Sequence, residues 1–145
     1  MYKAIMAVLV LVLLSGCFKK EPPKCSDEET IETVKEIFAK NVDEIYDGIP
    51  LIAIMKMGKK GKIDFHLPKK IVDIKDALPV SYDEKIKRRE CQATAVLDTN
   101  DTAQISYTVQ LSEKDPDQFY VELKFDFLQP ILQKHMMQSF MGGAL

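Results

Sequence analysis

Between residues 87 and 125 apolar and polar side chains alternate in three consecutive runs. The first lies within Lys87–Leu97, with Cys91, Ala93, Ala95 and Leu97 on one side and Gln92 and Thr94 on the other. Ile105, Tyr107, Val109 and Leu111 make the second, and Phe119, Val121, Leu123 and Phe125 the third. A period of two is that of a strand, whose successive side chains point to opposite faces. Asp98-Thr99-Asn100-Asp101 and Lys114-Asp115-Pro116-Asp117 separate the runs, and such residues close turns through their own backbone hydrogen bonds. Strands joined this tightly pair antiparallel. One apolar face per strand predicts a meander buried on a single side.

Something must cover that face. Ile31, Val34, Phe38, Val42 and Ile45 recur at spacings of three and four, which is one stripe of an amphipathic helix. Ser26 with Glu29 reads as a capping box, and Asp27, Glu28 and Glu29 put negative charge at the positive end of the helix dipole. Gly48 and Pro50 stop the helix, so the pattern predicts a helix over residues 27–46. Leu51–Met57 and Lys62–Leu67 flank Gly58-Lys59-Lys60-Gly61 and read as a hairpin. Lys69–Asp76 has no clean period, and Leu78–Lys85 reads as loop or a short strand. Over Asp126–Phe140 a second helix is expected, with Leu128, Ile131, Leu132, His135, Met136 and Phe140 on one face and Gly142-Gly143 at its end. Pro130 suits its first turn. The class expected is α+β: an N-terminal helix packed on a curved antiparallel sheet, with a short C-terminal helix. The 145 residues suffice for one such domain.

The N-terminus has a different character. Lys3 precedes Ala4–Leu14, eleven uncharged residues. That is too short to span a bilayer, which takes about 20 residues, and suits the apolar core of a signal peptide. Leu14-Ser15-Gly16-Cys17 follows and resembles the lipobox of bacterial lipoproteins. The resemblance implies that residues 1–16 are removed as a signal peptide and that Cys17 carries a diacylglyceryl thioether, usually with an acylated amine. More than one acyl chain makes a stable anchor. Residues 17–25 would then be a lipidated tether, with Pro22-Pro23 holding it extended, and residues 26–145 a single extracytoplasmic domain. Phe18, where aspartate would favour inner-membrane retention, leans toward the outer membrane, facing the periplasm. Losing sixteen residues and Lys3 leaves 129 residues, with 19 bases against 22 acids.

Cys25 and Cys91 remain besides Cys17. In an exported chain an even remainder points to a disulfide, the alternative being two free buried thiols. Without Cys-x-x-Cys spacing they are no zinc signature. Helix followed by curved sheet is similar to the cystatin-like and NTF2-like folds. Small bacterial lipoproteins of this build carry a cysteine before the first helix and a second one opening a Cys-x-Ala strand. The matching residues are Cys25, Cys91 and Ala93, and the resemblance implies a staple from helix start to sheet. Fold does not imply function.

Little in the chain points to catalysis. Asp64 and His66 share a strand face and make a conceivable acid–base pair for a hydrolase-type enzyme. His135 sits in an apolar stripe. Zinc-hydrolase, serine-esterase and phosphate-loop motifs are absent from the sequence, so neither a metal nor another cofactor is expected. Turn aspartates such as Asp98, Asp101, Asp115 and Asp117 are explained by backbone hydrogen bonds. Bases cluster at Lys56, Lys59, Lys60 and Lys62, and again at Lys85, Lys87, Arg88 and Arg89, a contact surface for phosphates or an acidic partner. A formal charge of −2 and the lack of aromatic interleaving argue against nucleic acid. On the C-terminal helix Leu128, Ile131, Leu132 and Met136 either pack back on the sheet as core, or Ile131, Leu132 and Met136 with Phe140 form a candidate partner or membrane face. Met136, Met137 and Met141 around Phe140 make it soft and adaptable. The leading expectation is a non-enzymatic, lipid-anchored envelope protein that binds or assembles with another envelope protein. The alternative is a small-ligand or lipid-binding cup lined by Tyr107, Phe119 and Phe125.

Overall fold

The computed structural model describes residues 21–52 and 66–142. Its elements are α1 (Glu28–Asp47), β1 (Ile71–Asp83), β2 (Arg88–Leu97), β3 (Thr102–Leu111), β4 (Phe119–Leu123) and α2 (Leu128–Gly142). The four strands form one antiparallel sheet in the order β1-β2-β3-β4. This is the expected α+β class. The β2–β3 register runs without interruption from Arg88 opposite Gln110 to Val96 opposite Thr102, because clean alternation specifies register.

α1 buries Thr30, Val34, Phe38, Val42 and Tyr46, a stripe with a spacing of four. Ile31 and Ile45 flank it, half-buried. The facing strands offer Cys91, Ala93, Ala95, Leu97, Ile105, Tyr107 and Val109, all buried. Phe38 forms a three-ring cluster with Phe125 and Phe127, their ring centroids 6.1 and 6.0 Å from its own and 6.4 Å from each other. Two buried phenols complete the layer. Tyr46 donates to the Pro68 carbonyl, and Tyr107 donates to the Cys25 carbonyl at 2.7 Å. Burial pushes the Tyr107 phenol up to about 12.

Several expectations need correction. The capping box does not form: Asp27 is the N-cap, and its carboxylate instead accepts the Lys24 N–H at 2.8 Å. Residues 50–52 are helical rather than extended, consistent with proline's fixed φ at a helix start. His66 and Leu67 lie outside any strand. The remainder of the expected hairpin, with Asp64, lies outside the described residues. The two ambiguous stretches are one strand, β1, thirteen residues long. Its register shifts three times, between Ile71 and Asp73, Lys75 and Leu78, and Pro79 and Ser81. Each shift resets the alternation, so no single period survives in the sequence. Pro79 is tolerated because β1 is an edge strand of this sheet. Among the described residues no helix is long and apolar enough to cross a membrane.

Candidate functional site

Cys25 and Cys91 are bonded, with an S–S distance of 2.04 Å and 5.7 Å between Cα atoms. The bridge ties the segment before α1 to the middle strand β2. Upstream of it, residues 21–25 are part of the folded unit rather than a free linker. Pro22 is buried. Arg89 donates through Nη2 to the Pro22 carbonyl at 3.3 Å, lies 3.9 Å from the Glu21 carboxylate, and stacks over the Tyr82 ring at 5.1 Å.

At the other end of the sheet the β2–β3 turn meets α2. Asp101 is buried there with its carboxylate against three donors. Lys134 Nζ donates to Oδ1 at 2.5 Å, Thr99 Oγ1 to Oδ2 at 2.5 Å, and His135 Nε2 lies 2.6 Å from Oδ2. An ionised carboxylate only accepts, so the Nε2 hydrogen points at it. Burial raises the pKa of Asp101, but the hydrogen bonds from Lys134, Thr99 and His135, with the imidazole charge, outweigh it. They hold the carboxyl well below the usual carboxylate range. A cleft of about 550 Å³ opens beside the cluster, lined by Asn100, Thr102, Gln104, Phe127, Ile131 and Lys134 among others.

This cluster was not legible in sequence. Asp101 is separated from Lys134 and His135 by 33 and 34 positions, and only the turn pattern around Asp101 was visible. Asp115 behaves as a turn aspartate should, accepting the Asp117 N–H at 3.0 Å, whereas Asp98 reaches out of its turn to accept the Lys69 N–H at 3.0 Å, 29 positions away. Chemically the Asp101 cluster is a clamp. Its one hydroxyl, from Thr99, is committed to Asp101, and Ser139, a turn beyond His135, donates to the His135 carbonyl at 3.0 Å.

The clamp divides α2. Before it, Leu128, Ile131 and Leu132 are buried in the core, so Ile131 and Leu132 are unavailable as partner-facing residues. Of the two readings of this stripe, the first half follows the core one, and the partner-face reading is corrected for Ile131 and Leu132. Met136 is half-buried and lines a groove of about 410 Å³ with Ile45, Ile49, Phe125, Leu128 and Leu132. Beyond the clamp, Met137, Phe140 and Met141 are 63%, 52% and 68% exposed.

The other expected residues scatter. Cys17, Lys56, Lys59, Lys60 and Lys62 lie outside the described residues. Lys85 is exposed in the four-residue turn between β1 and β2, and Lys87, Arg88 and Arg89 are half-buried there or just beyond. Arg89 is engaged with the Pro22 segment, so it is no free contact base. His66 is exposed, with φ of 51°. Tyr107 is a core residue, while Phe119 and Phe125 pack half-buried against the core; among the described residues Tyr107 and Phe125 border different pockets, and Phe38, Leu97, Ile105 and Tyr107 are fully buried in the core. Among the described residues no cluster of three His, Cys, Asp or Glu side chains could hold a metal ion. No family, no curated protein and no solved structure matches this chain.

Proposed function

We propose that this chain is a lipid-anchored protein of the bacterial cell envelope, held at the outer membrane by Cys17, that acts without catalysis as a binding or assembly module for another envelope protein. The observation that carries the binding role is the divided helix α2. Its first half is core and its second half presents Met137, Phe140 and Met141 to solvent. Long unbranched thioethers around one aromatic ring adapt to a partner surface at low cost in fit. The clamp at Asp101 holds the helix in place, so this face is offered in a fixed orientation and the partner need not order it.

A photo-activated cross-linking residue placed at Met137, Phe140 or Met141 in cells should give a discrete protein adduct. The same residue at Lys40, exposed on α1, should give none, and Cys17→Ala should abolish the adduct by releasing the protein from the membrane. Equal, diffuse labelling at all four positions would refute the reading. A second reading, capture of a small apolar ligand, is favoured by the apolar groove of about 410 Å³ between the end of α1 and α2, which is within the usual size of a ligand pocket. Saturable displacement of an apolar fluorescent probe, lost in Met136→Lys, would support it.

A further inference from the structure

The disulfide and Arg89 together give the tether a direction. Cys25 is bonded to Cys91, and three residues upstream Pro22 is held by Arg89. Moving toward the N-terminus therefore moves along β2 from residue 91 to residue 89, toward the turn that joins β1 to β2. Glu21, one residue further, is also at Arg89. Cys17 precedes Glu21 by four residues, which span at most about 14 Å. The described chain thus begins, at Glu21, toward the end that carries the β1–β2 turn. The β2–β3 turn and the Asp101 clamp are at the opposite end of a ten-residue strand, about 33 Å away.

The β1–β2 turn exposes apolar side chains beside lysines. Ile86 at its tip is 40% exposed, and Val80 on the approaching strand is 55% exposed. Lys85 and Lys87 flank Ile86, and neither is in an ion pair among the described residues. The neighbouring acid Asp83 is turned inward on the backbone, accepting the Lys85 N–H at 3.0 Å and the Ile86 N–H at 3.4 Å. Glu84 at the turn and Glu113, which lines a pocket with Lys85, Ile86 and Lys87 from the connection after β3, are opposing charges. An apolar tip between two lysines suits the boundary of acyl chains and anionic head groups.

We propose that the β1–β2 turn, through Lys85, Ile86 and Lys87, rests on an anionic phospholipid surface, a second contact beside the lipid on Cys17, with Arg89 as the positioning residue that aims the turn at the bilayer. The inference rests on the lipid-anchor reading. It orients the domain with α2 and its exposed methionines away from the membrane.

The chain has no tryptophan, so Ile86→Trp makes a unique reporter. Full-length protein carrying it would be purified from membranes and reconstituted in vesicles of phosphatidylcholine with phosphatidylglycerol, some of the lipid brominated in its acyl chains. The mass of the N-terminal peptide reads lipidation separately. The expected result is a lipidated Cys17, strong bromolipid quenching at residue 86, and little quenching of Thr102→Trp at the far turn. In the Ile86→Trp background Lys85→Glu/Lys87→Glu should weaken the contact by at least about fivefold for each lysine lost, and vesicles of phosphatidylcholine alone should weaken it likewise. An unmodified Cys17 overturns the anchor reading and this contact with it. A lipidated Cys17 with residue 86 no more quenched than residue 102 overturns the contact alone. So does quenching indifferent to phosphatidylglycerol, or a blue shift without quenching, which would assign the turn to a protein contact.

Discussion

Replacing the Asp101 carboxylate with an amide, Asp101→Asn, removes the charge that holds Lys134 and His135. Hydrogen bonds to charged groups contribute roughly 1.5–3 kcal/mol each to stability, but Lys134 is half exposed and returns to water when released. A net loss of about 2 kcal/mol near neutral pH is therefore expected. The pH dependence has a definite sign. The donors depress the pKa of Asp101 in the folded chain, whereas an unfolded aspartate titrates near ~3.9. The contribution is thus fully present above about pH 4 and is lost as pH falls through the folded value. Urea midpoints of the native protein and Asp101→Asn should differ at neutral pH and converge in acid. A gap that persists unchanged to the acid limit would show that the residue acts by shape and not by charge. None of this could be read from Asp98-Thr99-Asn100-Asp101, since Asp98 and Asp101 look alike there and differ only in what the fold brings to them.

At the scale of elements, α1 is the part whose sequence and structure agree most closely. Val34, Phe38 and Val42 were expected to face a sheet and are buried against one. The reason is that a helical stripe is a local property: spacing alone puts the residues on one side. β1 is the opposite case. Its three register shifts depend on pairing with β2, so the residues from Lys69 to Lys85 show no period that a strand would require. α2 lies between. Its periodicity was visible, but not that the apolar stripe passes from core at Leu132 to surface at Met137. Phe38 joins these elements, since it packs on both Phe125 and Phe127 at the entry to α2. Phe38→Ala should cost about 4 kcal/mol, seen as a lower urea midpoint. It should also speed amide hydrogen exchange in α2, a helix it does not belong to. Unchanged exchange in α2 would mean that the clamp alone keeps that helix in place.

For the molecule as a whole the disulfide is the covalent cross-link among the described residues, closing a loop between residues 66 positions apart. On the chain-entropy account a loop of that length contributes about 4 kcal/mol by restricting the unfolded chain. Reduction, or the double substitution Cys25→Ala/Cys91→Ala, should lower the unfolding free energy by that order, measured by urea titration with and without reductant. It should also loosen residues 21–25, because the Tyr107 hydroxyl and Arg89 bind that segment only where the bridge delivers it. A change smaller than about 1 kcal/mol would place the stabilisation in packing instead. The sequence by itself determined the α+β class, the stripe of α1, the meander of β2, β3 and β4, and the two cysteines available for pairing. Each of these follows from residue periods and counts along a short stretch of chain. The tertiary structure alone decided that Asp101 meets Lys134 and His135, that α2 is half core and half surface, and that the N-terminal segment runs along β2 toward the β1–β2 turn. Those depend on residues far apart in sequence, and no local pattern records which distant side chains a fold will place together.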